Sequence, residues 1–233
     1  MSFLSLETGE RRDLSLPARQ TFNQLDVDAC FSCAIATAYE ARHLDVPSLS
    51  PAFHLFHAFG GSAALMGMTL ETAHSALAQF GISRMSRYRH DPGAGTPPNA
   101  PDSDALTDGL PRRPLSSPFT GSEFRQLPGI HRAWEWISAL EASLPVLIRI
   151  WLNPGYQGLS RENPEWTDRS NPGRDSHAVV IVGYQAGPRR FVVQDSRGKN
   201  RFIEGQWFIP EAQAELGPIE DAYVFGVPVE RLI

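Results

Sequence analysis

Cysteine, lysine and long apolar runs are what this 233-residue chain has least of, and each scarcity closes off a class of protein. Only Cys30 and Cys33 are present, three residues apart. Two cysteines that close cannot staple a domain of this size, so they belong to chemistry or to the core. Lys199 is the sole lysine, which leaves a Schiff-base mechanism one residue to run through. The longest apolar stretches, 145–151 (interrupted by Arg149) and 178–182, fall far short of the roughly 18–20 residues that span a bilayer. Charge follows at once on the first residues, at Glu7, Glu10, Arg11, Arg12 and Asp13, so a cleaved secretory signal is not expected. A cytoplasmic location follows from that reading, with export by a route lacking a cleaved signal as the alternative. Lys plus Arg total 21 against 26 Asp plus Glu, a net charge of -5, and there is no basic block. Neither nucleic acid nor an anionic membrane is an expected partner.

What is present is an ordinary globular composition, 42% hydrophobic and 20% charged. A chain of this length buries roughly 70% of its unfolded surface, enough for a sizeable core. No internal repeat is visible. Residues 91–129 hold eight of the nineteen prolines, with many Gly, Ser, Asp and Thr, and read as a loop crossing between two lobes. Before the crossing the pattern is helical. Residues 30–42 place Cys33, Ala34, Thr37, Ala38 and Ala41 on one inward stripe. Ser50-Pro51 opens a second helix, and residues 69–80 form a third that Gly81 closes. After the crossing comes one more amphipathic helix, 130–143, and then strands at 145–151, 178–185, 190–194, 201–203, 206–209 and 221–229. Helices first and strands second predict an α+β chain, with a helical lobe at 20–90 and a β lobe at 130–233. The cleft between the lobes is where chemistry is expected.

Three pieces of sequence carry that chemistry. Cys30 opens the first helix, where backbone N–H groups and the helix dipole favour thiolate over thiol. His177 stands at the mouth of the strand in Asp-Ser-His-Ala-Val-Val-Ile-Val-Gly-Tyr, held where an imidazole can face a partner. Asp195 leaves the next strand and can orient that imidazole through a hydrogen bond.

These pieces resemble the papain-like cysteine peptidases, and most closely their compact bacterial branch without a signal or propeptide. Gln24 stands six residues before Cys30, the family's spacing between its glutamine and its nucleophile, and aromatic Phe31 follows. Ser176-His177-Ala178-Val179 and Val182-Gly183-Tyr184 match the family's histidine strand. The family's Asn-Ser-Trp-Gly reads Asp195-Ser196-Arg197-Gly198 here. Together with weaker echoes, the likeness runs from about Thr21 to Val227. It implies a single catalytic domain over 1–233 with a papain-like two-lobe fold, whose antiparallel β lobe is barrel-like. It further implies peptide or amide hydrolysis through an acyl-enzyme. Cys30 would be the nucleophile, His177 the acid and base, Asp195 the orienting group and Gln24 the oxyanion-hole side chain. Neither a metal nor an organic cofactor is implied. The expected partner is a peptide or protein substrate, with a separate inhibitor or immunity-type protein as a further expectation.

Several alternatives stand beside this reading. Cys33 is the other candidate nucleophile, although the spacing to Gln24 favours Cys30. A Cys30–Cys33 redox pair is the rival chemistry. A transglutaminase or acyltransferase could use the same three groups, and a peptide-binding relative could use none of them. Gly60 and Gly61 are candidates to line the substrate cleft, with Ser176 beside His177, because a substrate backbone approaches closest where no Cβ intervenes. His54 and His57 have the spacing of a metal site, with packing as the simpler role. Arg197, standing where the family has tryptophan, is expected to admit solvent to the His177–Asp195 bond or to pair with Asp195 and weaken it.

Overall fold

The computed structural model describes residues 13–17, 21–24, 29–43, 48–59, 68–89, 99–113, 124–127, 132–170 and 175–225. Helix α1 (Cys30–Arg42) runs through the middle of the molecule, and every residue from Phe31 to Ala41 is buried. The sequence pattern predicts one inward stripe; the helix is instead enclosed all round, between two further helices and a sheet. Ala34, Ala36, Ala38 and Ala41 keep it slim enough for neighbours on every side. Glu40, deep in this helix, accepts the Leu49 N–H at 2.7 Å.

Local chemistry sets the ends of the next two helices. Ser50 Oγ accepts the Phe53 N–H at 3.2 Å, and Pro51 occupies the first turn of α2 (Pro51–Ala58). Thr69 Oγ1 accepts the Thr72 N–H at the start of α3 (Leu70–Phe80), and Gly81 ends it with φ +69. No side chain fits there, since a Cβ on Gly81 would lie 2.0 Å from the Gly109 carbonyl oxygen.

That carbonyl belongs to an element the loop reading of 91–129 does not foresee. Helix α4 (Ser103–Gly109) is capped by Asp102, whose Oδ1 accepts the Ala105 N–H at 2.8 Å, and a 3-10 turn follows at Leu110–Arg112. Asp108 anchors it to the helical lobe by accepting from the Ser83 hydroxyl, the Arg84 backbone and the Arg84 and Arg112 guanidinium groups. Proline and glycine dominate the composition of this stretch, but a capping aspartate and one buried carboxylate are enough to order a short helix within it.

The β lobe is a seven-stranded antiparallel sheet built from β1 (Leu14–Ser15), β2 (Phe124–Gln126), β3 (Val146–Trp151), β4 (Ser176–Ala186), β5 (Arg189–Gln194), β6 (Gln206–Pro210) and β7 (Ile219–Phe225). Its order is β2-β7-β3-β4-β5-β6, and β2 and β6 lie at opposite ends of that path. The sheet is open among the described residues, so the barrel-like expectation is corrected. The amino-terminal strand β1 joins this lobe, pairing Leu14 with Tyr184 and Ser15 with Gly183 where β4 runs on past the end of β3. Gly183 permits that approach, because a Cβ there would meet the Leu14 carbonyl oxygen at 2.8 Å. The strand expected at 201–203 is a turn closed by the Ile203–Gln206 bridge. Residues 226–229 of the last predicted strand lie outside the described residues.

Both faces of the sheet are covered, which is why β4 reads as an unbroken apolar run. Val146, Ile148, Ile150, Val179 and Ile181 pack with Trp136 of α5 (Arg132–Glu141) and Ala214 of α7 (Glu211–Leu216). Leu147, Ala178, Val180 and Val182 face the other way, onto Phe31, Ile35 and Ala38 of α1. Among the described residues no helix is long and apolar enough to cross a membrane.

Candidate active site

Cys30 occupies the first position of α1, with Ala29 at the cap and no side-chain hydrogen bond there. The sulfur serves as acceptor instead, facing the N–H groups of Phe31 and Ala178. His177 is the second residue of β4, paired with Ile150 on β3, and its ring lies within hydrogen-bond reach of the thiol. His177 Nε2 stands 2.9 Å from Asp195 Oδ1, which leaves Nδ1 as the nitrogen toward Cys30. Asp195 follows β5, its backbone N–H bound to the Gly205 carbonyl at 3.0 Å.

The carboxylate is tied on both oxygens. Besides His177 on Oδ1, Oδ2 accepts the indole Nε1–H of Trp207 at 2.8 Å and the hydroxyl of Tyr156 at 3.1 Å. Tyr156 lies in the short helix α6 (Pro154–Gln157), which Asn153 caps: Asn153 Oδ1 accepts the Tyr156 N–H and the Trp166 Nε1–H, both at 2.9 Å. The Asp195 side chain is 0% exposed. Solvent expected at Arg197 therefore does not reach the His177–Asp195 bond, and that expectation is corrected. Tyr156 and Trp207 close the space from outside the Asp-Ser-Arg-Gly motif. Sequence reasoning missed both, since they sit 39 and 12 residues from Asp195 and only the fold brings them to it.

The charges follow from this packing. Burial alone pulls the His177 imidazolium down, but the charge and hydrogen bond of Asp195, with Cys30 opposite, outweigh it and raise the ring to about 9. Burial pushes the Cys30 thiol up, and the hydrogen bond and charge of His177 with two backbone N–H groups bring it below the ordinary thiol value. Asp195 is likewise held below the usual carboxylate range, because His177, Trp207 and Tyr156 overcome its burial. The arrangement favours a thiolate–imidazolium pair backed by a carboxylate.

Cys33 differs. It is fully buried one turn further along α1, near the Ser196 hydroxyl, and burial together with the charges of Cys30 and Asp195 pushes its thiol up. Gln24 is brought to the same place by a short antiparallel ladder. The Gln24 N–H donates to the Ser196 carbonyl at 2.8 Å, Asn23 pairs with Arg197, and the Gly198 N–H donates to the Phe22 carbonyl at 3.0 Å. The Ser196 hydroxyl donates to Gln24 Oε1, turning the amide nitrogen away from that contact. Glutamine, thiol, imidazole and carboxylate thus meet where the start of α1 abuts the ends of β4 and β5.

The remaining candidates are placed as follows. Ser176 is exposed at the first position of β4, opposite Trp151. Gly60 and Gly61 lie outside the described residues. His54 is a buried cross-tie, with Nδ1 2.9 Å from Ser32 Oγ and Nε2 2.8 Å from the Ala73 carbonyl oxygen. His57 stacks on Phe80 at 3.9 Å. Among the described residues no group of three His, Cys, Asp or Glu side chains is arranged to hold a metal ion.

No family model matches the sequence, and no curated protein matches it. Solved structures do. Xylellain, a cysteine protease from Xylella fastidiosa, superposes with a TM-score of 0.73 at 17% identity over 93% of this chain and 86% of its own. Digestive procathepsin L 3 from the Tenebrio molitor larval midgut gives 0.73 at 17% identity, over 97% and 73%. The Carica candamarcensis cysteine protease CMS1MS2, solved in complex with E-64, gives 0.61 at 16% identity, over 94% and 99%. With helices set against an antiparallel sheet and matched to these structures over 93–97% of its length, the chain has the papain-like fold.

Proposed function

We propose that the protein is a thiol hydrolase of peptide or amide bonds, with Cys30 as nucleophile, His177 as acid and base, Asp195 as the group that orients and charges the imidazole, and Gln24 in the oxyanion hole. One observation carries the reading: the imidazole raised to about 9 lies between a thiol lowered in pKa and a carboxylate 2.9 Å from its Nε2. The Cys30 thiolate attacks the carbonyl carbon. Negative charge then develops on the carbonyl oxygen, toward the Gln24 amide and the Cys30 backbone N–H. His177 passes its proton to the leaving amine, which departs and leaves a thioester on Cys30. Neutral His177 next takes a proton from water as its oxygen attacks the thioester, releasing the acid and restoring the ion pair. Asp195 stays ionised throughout, held by Trp207 and Tyr156.

The test uses E-64, the compound held by CMS1MS2. Wild-type protein and the Cys33→Ala variant should each gain the mass of one inhibitor molecule, while Cys30→Ala should gain none. Folded wild type that stays unlabelled, or Cys30→Ala that labels, sinks the proposal.

A further inference from the structure

Three donors converge on the Asp195 carboxylate, and they differ in what they tolerate opposite them. His177 meets Oδ1 at 2.9 Å, while Trp207 and Tyr156 share Oδ2 at 2.8 and 3.1 Å. A tyrosine hydroxyl can turn and accept as readily as it donates, and an imidazole donates or accepts according to its tautomer. The indole N–H of Trp207 can only donate. Whatever stands at position 195 must therefore present a lone pair to Trp207, and a second one to His177 if the imidazolium is to be held.

The indole has no room to withdraw that demand. β6 pairs Trp207 with Val193 and Gln206 with Gln194, the residue before Asp195, so the backbone of Trp207 is fixed in the ladder. Its side chain is fully buried, crossed edge-on by Trp166 and by Tyr156, each with ring centroids 5.9 Å away. Trp166 is itself pinned, its Nε1–H given to Asn153 Oδ1 at 2.9 Å. The Tyr156 ring lies in turn 5.5 Å from that of His177. The charged and titratable groups around this enclosure are Asp195 and His177, Cys30 and Cys33 of α1, Tyr156 of α6, and Arg197 and Arg201, whose charges reach Tyr156.

Asparagine would keep the shape of Asp195 with one acceptor oxygen in place of two. With that oxygen toward His177, the amide nitrogen would meet the Trp207 N–H, two donors with no lone pair between them. With the oxygen turned to Trp207 and Tyr156, the amide nitrogen would donate to His177 Nε2, which could then only accept. The ring would be the neutral tautomer with its proton on Nδ1, toward Cys30, and an imidazolium would meet donor with donor at Nε2. The second arrangement satisfies both buried donors and loses the ion pair.

We propose that Trp207 is a positioning residue: its donor-only indole makes position 195 a site for a carboxylate, and so decides which nitrogen of His177 carries the proton. This deepens the hydrolase reading, on which it rests for the roles of Cys30 and His177.

The test reads the ring nitrogens of isotope-labelled histidine by NMR, with His177 assigned by its absence from His177→Gln protein. In Asp195→Asn the neutral His177 ring should carry its proton on Nδ1. In the double variant Asp195→Asn, Trp207→Phe the asparagine oxygen is free to face the imidazole and the amide nitrogen to face the Tyr156 oxygen. The proton should return to Nε2, and kcat/KM should recover about tenfold or more from the level of Asp195→Asn. Asp195→Asn with Tyr156→Phe should recover nothing, because a hydroxyl imposes no donor. A neutral ring protonated on Nε2 in Asp195→Asn overturns the proposal, and that reading needs no double variant to fold. Folded Asp195→Asn, Trp207→Phe without recovery, or equal recovery with Tyr156→Phe, overturns it as well. E-64 labelling separates the two ideas, since the tautomer is read without substrate. Unlabelled wild type rejects the hydrolase alone, and labelled wild type with the Asp195→Asn proton on Nε2 rejects the positioning role alone.

Discussion

The candidate active site and the interior of the helical lobe each bury a histidine with a partner at both ring nitrogens, yet the two rings titrate in opposite directions. His177 and His54 are 1% and 0% exposed, so burial penalises their charged forms alike. His54 faces a hydroxyl and a carbonyl, with His57 as a like-charged neighbour, and desolvation above all pushes it down to about 4. His177 faces a carboxylate and a thiol, and rises to about 9. The two cysteines divide the same way: Cys30 beside the imidazole is lowered, and Cys33 one turn deeper is raised. Depth in the protein does not make a group reactive; an opposite charge held at hydrogen-bond distance does.

The sharpest separation of the two sets comes from the sulfurs. Cys30→Ala should lower kcat/KM for a cleaved peptide by about 10⁴-fold or more, while Cys33→Ala should stay within about tenfold of wild type. Equal losses would erase the distinction. Next in size is Asp195→Asn, which keeps the shape and removes the charge. The alkaline limb of the pH–rate profile reports loss of the imidazolium proton, so it should move down by a unit or more, with kcat/KM reduced about a hundredfold. A limb that does not move would mean that Asp195 and His177 are uncoupled.

In the helical lobe the effect should fall on stability rather than activity. His54→Ala removes a buried ring and leaves the Ser32 hydroxyl and the Ala73 carbonyl without that partner, which should cost roughly 2–4 kcal/mol by urea unfolding. Activity per folded molecule should be retained. The smallest effect is the pH dependence of the unfolding midpoint. His54 and His57, both depressed to about 4, favour folding above the unfolded value of 6.5 and lose that contribution as pH falls through the window from 6.5 to 4. His177, raised to about 9, favours folding fully below 6.5 and loses its contribution as pH rises from 6.5 through 9, but Cys30, lowered beside it, gains its contribution as pH rises toward the ordinary thiol value of 9.0, so the pair changes little over that window. Stability should therefore decline on the acid side of neutral pH and stay nearly level between 6.5 and 9, and a midpoint that falls steeply over that alkaline window would mean that Cys30 keeps its proton in the folded protein.

Much of the scaffold is legible in the sequence because its signals are local. Ser50-Pro51, Thr69 and Gly81 mark helix ends that the structure places within a residue, and β3 to β6 begin and end within two residues of their predicted bounds. Composition misleads at 91–129, where proline hides α4 although Asp102, its cap, is in plain view. It also misleads over Arg197. Losing a tryptophan from the motif reads as losing the shield, yet Trp207 in β6 and Tyr156 in α6 supply it from other parts of the chain. The register shift between β3 and β7 at Arg149 and Ile150, which leaves Glu220 in an ion pair with Arg149, has no local marker either.

The amino-acid order alone settles the succession of glutamine, thiol, imidazole and carboxylate, the change from helices to strands, and the caps that start and stop them, because these depend on neighbours a few residues away. Which sulfur is the more acidic, which histidine holds a proton at neutral pH, and what shields Asp195 were decided by folding. Desolvation and Coulombic attraction act over a few ångströms of space, and the groups that exert them on Cys30, His177 and Asp195 come from segments up to about 150 residues apart along the chain.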